Sequence, residues 1–415
     1  MMNKWTIGLA AVGAVSLASV AQAEEQPSPL TTLSSTILSG YVDTSAQWNL
    51  GDGTSHAPAY KYGGASKADG FNLDVVKLTI ERPLDENEWA AGYKVDMLFG
   101  PDANTLATQS STSTGADDFA IKQAYVVLRA PVGNGLDIKM GVFDSVIGYE
   151  STEAINNPNF SRSWGHTFEP SEHTGVLASY RLNEIIAFSG GITDTLSPSI
   201  NGRSGSGPLV GGPNESYKTY LGSTSLTAPD SWGFLNGSTF YAGIVEGWNG
   251  GIGPGASQQN YYLGATFNTP VSGLRLGASF DYARTDKTLT PVGIAGTPFP
   301  SFQAHSFAGY ASYQVLEKLS VHGRVEYADI TPLAASLAQG VAGIGLPSSV
   351  LSATATVQYD LWKNVLSRIE IRWDHALDGT DAFGGTTAAH IQSGHTVTGS
   401  QQDSFIIAAN LIYKF

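Results

Sequence analysis

Between residues 365 and 376, Arg368, Glu370, Arg372 and Asp374 alternate with Ile369, Ile371 and Trp373. Two-residue spacing puts every charge on one face of an extended strand and every apolar group on the other. Fixed charges in a row on a wall do not make an acid–base or nucleophilic site. They hold water and attract and orient polar solutes that pass along it. The same pattern sets His322, Arg324 and Glu326 opposite Val321, Val325 and Tyr327. It sets Lys77, Thr79 and Glu81 against Val76, Leu78 and Ile80, and Lys94 and Asp96 against Tyr93, Val95, Met97 and Phe99. Lys139 opposes Ile138, Met140 and Val142. An Arg at mid-depth in lipid costs roughly 2–4 kcal/mol, so these faces must line water. The candidate water-facing bases are Lys77, Lys94, Lys139, Arg324, Arg368 and Arg372, and the acids are Asp96, Glu326 and Glu370. In 119–132 both faces are partly apolar, and parity cannot be assigned.

A second cluster runs from Glu150 to Glu172 as ESTEAINNPNFSRSWGHTFEPSE. Glu150, Glu153, Glu169 and Glu172 stand beside Arg162, with Phe160, Trp164 and Asn156-Asn157-Pro158 between them. Aromatic and Asn/Pro content of this kind suits a packed, ordered loop better than a solvated one. Other chemistry finds no support. There is no G-x-S-x-G elbow, H-E-x-x-H helix or P-loop, so no catalytic residue is assigned. Zero cysteine removes disulfide frameworks, thiolate metal sites and thiol nucleophiles. The eight histidines are scattered; His390 and His395 are too isolated for a metal site. Asp378 with Asp381, and Asp102 with Asn104, carry acids that could gather Ca²⁺, but acidic loop residues are ordinarily just solvated. The glycine clusters at 250–255 and 340–345 read as turns. Neither a cofactor nor a metal is expected.

The elements that carry these residues are strands. Period-two segments fall at about 35–48, 70–83, 87–100, 119–132, 135–149, 173–182, 184–194 and 216–228, then at 233–248, 258–270, 273–286, 303–316, 318–331, 349–362, 365–376 and 402–415. Tight connections around 84–87, 133–134, 183–184, 229–232, 271–272, 316–317 and 363–364 alternate with long loops rich in Gly, Ser, Thr, Pro and Asp. One of these loops, 332–348, could hold a short helical turn. Every long connection at one end, with an even strand number, is the rule of an outer-membrane barrel rather than of a soluble sandwich. Sixteen strands leave a water-filled lumen. The fold class is therefore an all-β transmembrane antiparallel barrel of sixteen strands.

Three further features agree. Trp89, Trp232 and Trp362 lie beside tight turns, and Trp48, Trp248 and Trp373 where strands reach long loops, as in two interfacial girdles. The last strand, FIIAANLIYKF, ends on Phe415 and is similar to the terminal signal read by the barrel-assembly machinery. Residues 1–23 read as a signal peptide: Lys4, an apolar run, and Ala21-Gln22-Ala23 before Glu24, leaving 24–415 as one barrel domain. Composition is consistent, with 14% charged residues against roughly 25% in ordinary soluble domains. A net charge of −14 argues against nucleic acid as a partner.

Several stretches resemble the OmpL-like β-barrel porins of Gram-negative bacteria, known as β-barrel porin family two. They are GYKVDMLFGPDAN, KQAYVVLRAPVGNGLDIKMGVFDSVIGYE, NNPNFSRSW, HTGVLASYR and LWKNVLSRIEIRWDH. The PEFGG loop motif of the general trimeric porins is missing, so their eyelet residues do not carry over. The resemblance implies an outer-membrane channel that passes small hydrophilic solutes and ions passively, without catalysis. It further implies a homotrimer in contact with membrane lipid and lipopolysaccharide. It also implies that the 150–172 loop, with Glu150, Glu153, Asn157, Phe160, Arg162, Trp164, Glu169 and Glu172, folds into the lumen and faces basic wall residues across the aperture. The alternatives are a non-conducting structural or adhesin barrel and a barrel-embedded hydrolase.

Overall fold

In the computed structural model the described residues are 36–51, 57–58, 60–63, 65–85, 87–109, 117–203, 206–207, 210–211, 217–248, 257–285, 302–330, 347–385 and 399–415. The leader at 1–23, the helical turn expected within 332–348, both glycine clusters, and His390 and His395 lie outside them.

Alternating apolar and polar residues build the strands because only an extended chain sends successive side chains to opposite faces. The first eight are β1 (Ile37–Leu50), β2 (Gly70–Arg82), β3 (Ala90–Phe99), β4 (Phe119–Ala130), β5 (Leu136–Asp144), β6 (Glu172–Arg181), β7 (Ile186–Thr193) and β8 (Thr219–Thr227). The second eight are β9 (Thr239–Trp248), β10 (Ser257–Asn268), β11 (Leu274–Thr285), β12 (Phe302–Leu316), β13 (Leu319–Ile330), β14 (Ser349–Trp362), β15 (Val365–Ala376) and β16 (Asp403–Lys414). Each pairs antiparallel with its sequence neighbours, and β16 closes the ring on β1, from Tyr41 opposite Lys414 to Leu50 opposite Phe405. The sixteen-stranded closed barrel expected from the sequence is the fold observed. Closure leaves no unpaired edge, which is what allows a sheet to stand in hydrocarbon.

The ladder fixes which face each residue takes. Ile369, Ile371, Leu411, Tyr413, Val126, Leu128 and Met140 are exposed on the outside. Arg368, Glu370, Arg372 and Asp374 point inward, as do Arg324 and Glu326. Among the described residues four bulges break the strict alternation, two of them near the short-turn ends of β12 and β14, at Val315 and Leu361. In β2, Asp74 is the extra residue between the partners of Asp43 and Thr44. In β4, Lys122 is the extra residue between Gln123 and Ile121. A bulge reverses the parity of everything beyond it. That is why 119–132 shows two mixed faces: its inward set changes register at Lys122.

The two largest boundary differences from the sequence reading lie at β9 and β5. β9 begins at Thr239, not 233, because Asp230–Leu235 coils into a 3₁₀ segment whose Gly233 holds φ +62°, so Trp232 lies in that segment. β5 ends at Asp144, not 149, and Ser145 donates its N–H to the carbonyl of Ser171, which starts the long connection to β6.

Side chains from the end of β5 and from connections pack inside the barrel against its wall. Phe143, Val146, Ile147 and Tyr149 cluster with Leu177, Leu221, Val245, Tyr262 and Tyr310 of the wall. The short helix α1 (Pro101–Leu106) buries Ala103 and Leu106 against Val75, Leu98 and Ala120.

Candidate functional site

The 150–172 loop lies against the inner wall. Wall glycines make room for its approach. Gly277 of β11 lies where a Cβ would overlap the Tyr149 hydroxyl, and Tyr149 stacks on Tyr310 at 4.0 Å between centroids. A short helix, α2 (Trp164–Phe168), begins with the Ser163 side chain accepting from the His166 N–H, a normal N-cap. Trp164 is 2% exposed and sits among Ala304, Ala328, Ile330 and Val350 of β12, β13 and β14, small enough to admit an indole.

Charge then fixes the loop to the wall. Arg324 donates to Glu150 at 2.8 Å and to Glu326 at 2.9 Å, and its second Nη reaches Ser161, Thr354 and the Arg162 carbonyl. Arg372 is held bidentate by Asp374, both bonds 2.8 Å, and donates to the Arg162 carbonyl at 2.6 Å. Arg368 donates to the carbonyls of Ala154 and Asn157, 2.9 and 2.7 Å away. The wall acids act in reverse. Glu370 accepts the N–H groups of Phe160 and Ser161, Glu326 accepts that of Trp164, and Asp374 accepts the Trp164 indole N–H at 2.9 Å. On β2, Lys77 bonds Glu153 at 2.8 Å and lies 3.2 Å from Asp96. Guanidinium forks suit this work, since one planar group serves several acceptors at once.

The structure therefore brings Lys77, Arg324, Arg368, Arg372, Asp96, Glu326 and Glu370 together with Glu150, Glu153, Asn157, Phe160, Arg162 and Trp164. Lys77, the least buried of these bases, is only 8% exposed. Contact is direct: Arg324 and Lys77 bond the loop acids Glu150 and Glu153, and Arg368 and Arg372 bond loop carbonyls, where the sequence reading placed the loop across an aperture from the wall. Buried charges of opposite sign seek one another because desolvation without a partner costs more than any loop can supply. Asn157 braces the turn by pairing its amide with the backbone of Ser151. Phe160 packs on Ala154 and Ala408. Arg162 donates to the carbonyls of Phe160 and Thr152. Glu169 accepts from His166 at 3.1 Å, and Glu172 heads β6, buried, 3.9 Å from Lys122.

Other predicted residues stand apart. Lys94 pairs with Glu81 at 3.3 Å, and Lys139 lies over the Tyr125 ring. Trp89, Trp232 and Trp362 are exposed beside short connections. Trp48 touches Phe71 edge-on, Trp248 stacks on Tyr217, and Trp373 donates to Asp403. Phe415 exchanges both backbone hydrogen bonds with Gly40 and so finishes the β16–β1 seam.

Sequence reasoning missed a second loop segment. Tyr60 lies 3.7 Å from the Arg372 guanidinium, Tyr62 lies 4.6 Å from that of Arg162, and Lys61 donates to the Glu169 carbonyl at 2.7 Å. Lys122 was missed too, although it binds Asp144 at 2.5 Å. Tyr-Lys-Tyr in a polar loop carries no periodic signal, and a bulge lysine hides the parity that would have exposed it.

Glu150 and Glu153 titrate abnormally. Burial alone would raise Glu153, but Lys77 and Lys122, with hydrogen bonds from Lys77 and Tyr41, pull it down to about 2. Glu150 is also lowered: burial opposes, but Arg324, His166 and the Ser163 N–H outweigh it. Burial lowers His166, against the pull of Glu169.

A closed sixteen-stranded barrel, apolar outside and charged inside, is the architecture of an outer-membrane porin. Residues 35–415 match the family described as "Putative beta-barrel porin-2, OmpL-like", and the chain belongs to that family. No curated protein matches it. Among solved structures, the anion-selective porin from Comamonas acidovorans aligns with TM-score 0.56 and 12% identity over 92% of this chain and 99% of its own. The outer membrane channel DcaP of Acinetobacter baumannii gives 0.55 and 11% over 92% and 97%. Salmonella typhi OmpF, in complex with daunomycin, gives 0.53 and 14% over 92% and 97%. At such identities the likeness is one of fold.

Proposed function

We propose that this protein is a passive porin of the Gram-negative outer membrane, through which small hydrophilic solutes and ions move down their gradients. The observation that supports this best is the division of charge across the sheet, with charged side chains inside and Ile, Leu, Val and aromatic side chains outside. In this reading the 150–172 loop narrows the lumen, held by Lys77, Arg324, Arg368 and Arg372, while Lys94 and Lys139 face the solute path. Selection is then by size and by the charge that the path still presents to water. No covalent step is involved. The six tryptophans at strand ends and short connections form interfacial girdles against lipid and lipopolysaccharide. Phe415 is the signal read by the barrel-assembly machinery after cleavage of the leader, and the barrel works as a homotrimer.

Swelling of proteoliposomes in a graded series of sugars tests the reading. Pentoses and hexoses should enter and longer oligosaccharides should lag. Equal exclusion of all sugars and ions by folded protein would contradict it.

A further inference from the structure

Charge on the inner wall falls into two zones. At the level of the loop, three buried bases have acid partners: Arg324 with Glu150 and Glu326, Arg372 with Asp374, and Lys77 with Glu153. Arg368 is taken up by the loop carbonyls of Ala154 and Asn157. A matched pair presents only a dipole to a passing ion, and these pairs are shielded from the lumen by the loop they hold. Toward the short-turn end some wall charges are matched as well. Lys94 meets Glu81, and Arg129 meets Asp137 at 2.7 Å.

Lys139 on β5 and Arg275 on β11 are different. Both point inward by ladder register, Lys139 opposite Leu177 and Arg275 opposite Ser312. Both are partly exposed and lie close to the short turns at 131–135 and 269–273. The Lys139 ammonium has an aromatic neighbour, the Tyr125 ring at 4.8 Å. Arg275 donates to the Asn268 side-chain oxygen at 3.0 Å. Among the described residues, neither has a carboxylate within ion-pair distance. The inward acid Asp360 accepts from the Gln358 amide at 3.4 Å, and the half-exposed Asp144 is tied to Lys122. Lys139 and Arg275 therefore add unpaired positive charge to this part of the path.

We infer that Lys139 and Arg275 are the specificity-determining residues of the lumen, and that they make it favour small anions over cations. The inference rests on the porin reading. β5 and β11 stand six places apart in the ring of sixteen strands, so the two cations address the water column from different sides. A water column inside a low-dielectric wall focuses the field of unmatched charges, which raises the local concentration of counter-ions. That field reaches about 10 Å at 0.1 M salt and about 3 Å at 1 M, so the preference should fade as salt rises. The chain's net charge of −14 does not oppose this, because paired acids contribute little to the column.

The test is reversal potential across a KCl gradient, with the purified full-length chain in a planar bilayer. The parent should prefer chloride at low salt and lose that preference at molar salt. Lys139→Gln should reduce the chloride-to-potassium ratio several-fold, and Lys139→Gln with Arg275→Gln should abolish it with conductance steps still present. Lys318→Gln, at an exposed short-turn position, should change nothing. A potassium-preferring parent, or a ratio unmoved in both the single and double variants, overturns the inference and leaves the porin reading intact. A folded parent that does not conduct at all overturns both.

Discussion

Arg324 shows how much one side chain settles. All its contacts are to a carboxylate, a hydroxyl or a carbonyl, and three of the acceptors belong to Ser161 and Arg162 of the loop. Arg324→Met would leave Glu150 buried without its base, while Glu326 keeps Arg372 at 3.5 Å. Loss of one partner in a buried pair costs about 3–5 kcal/mol, and here it should fall on loop docking rather than on the barrel. We expect faster amide exchange in 160–166 with unchanged strand exchange. Adding Glu150→Gln should restore part of the protection, because the stranded charge is removed. Face and charge of Arg324, Arg368 and Arg372 were legible from two-residue spacing. Their partners were not, since Arg324 and Glu150 lie 174 positions apart.

Acid should act on the same tether. Glu153 is depressed in the folded protein to about 2 from an ordinary 4.5. A depressed carboxyl contributes its full stabilisation above 4.5 and loses it as pH falls through about 2. The loop should therefore stay docked at mildly acid pH. Lys77→Met removes the strongest pull on Glu153, so its loop should loosen at higher pH than the parent's, as read by amide exchange in 150–158 compared pH by pH.

At the scale of elements, the loop fits because the wall is shaped for it. Gly277→Val would drive a side chain into Tyr149 and break its stacking on Tyr310. Melting of the loop, followed by near-ultraviolet dichroism, should shift down while the strand signal persists. Tyr60→Ala removes an aromatic face from Arg372, a contact worth about 0.5–2 kcal/mol when desolvated. It should loosen 162–168 without displacing Glu150 from Arg324. All sixteen strands were visible in the sequence because period two runs through most of each, bulges shifting its phase without erasing it. What was not visible had local causes: the 3₁₀ segment at Trp232, the bulge at Lys122, and glycines whose purpose is an absent side chain.

At the scale of the whole molecule, a composition poor in charge has a single explanation. One face of each strand carries Ile, Leu, Val and aromatic side chains to the outside, and the charges that remain hold a loop inside or line water. The barrel and the loop are separable parts of that design. In the proposed function the barrel supplies the path, and the tethers to β13, β14 and β15 set its bore. Single-channel recording of the purified chain beside Arg324→Met addresses both parts at once. Discrete ohmic steps are expected from the parent, and larger steps from the variant as its loop leaves the wall. Folded parent protein that gives no steps, or a variant whose steps match the parent's while its loop exchanges freely, would contradict a pore narrowed by residues 150–172.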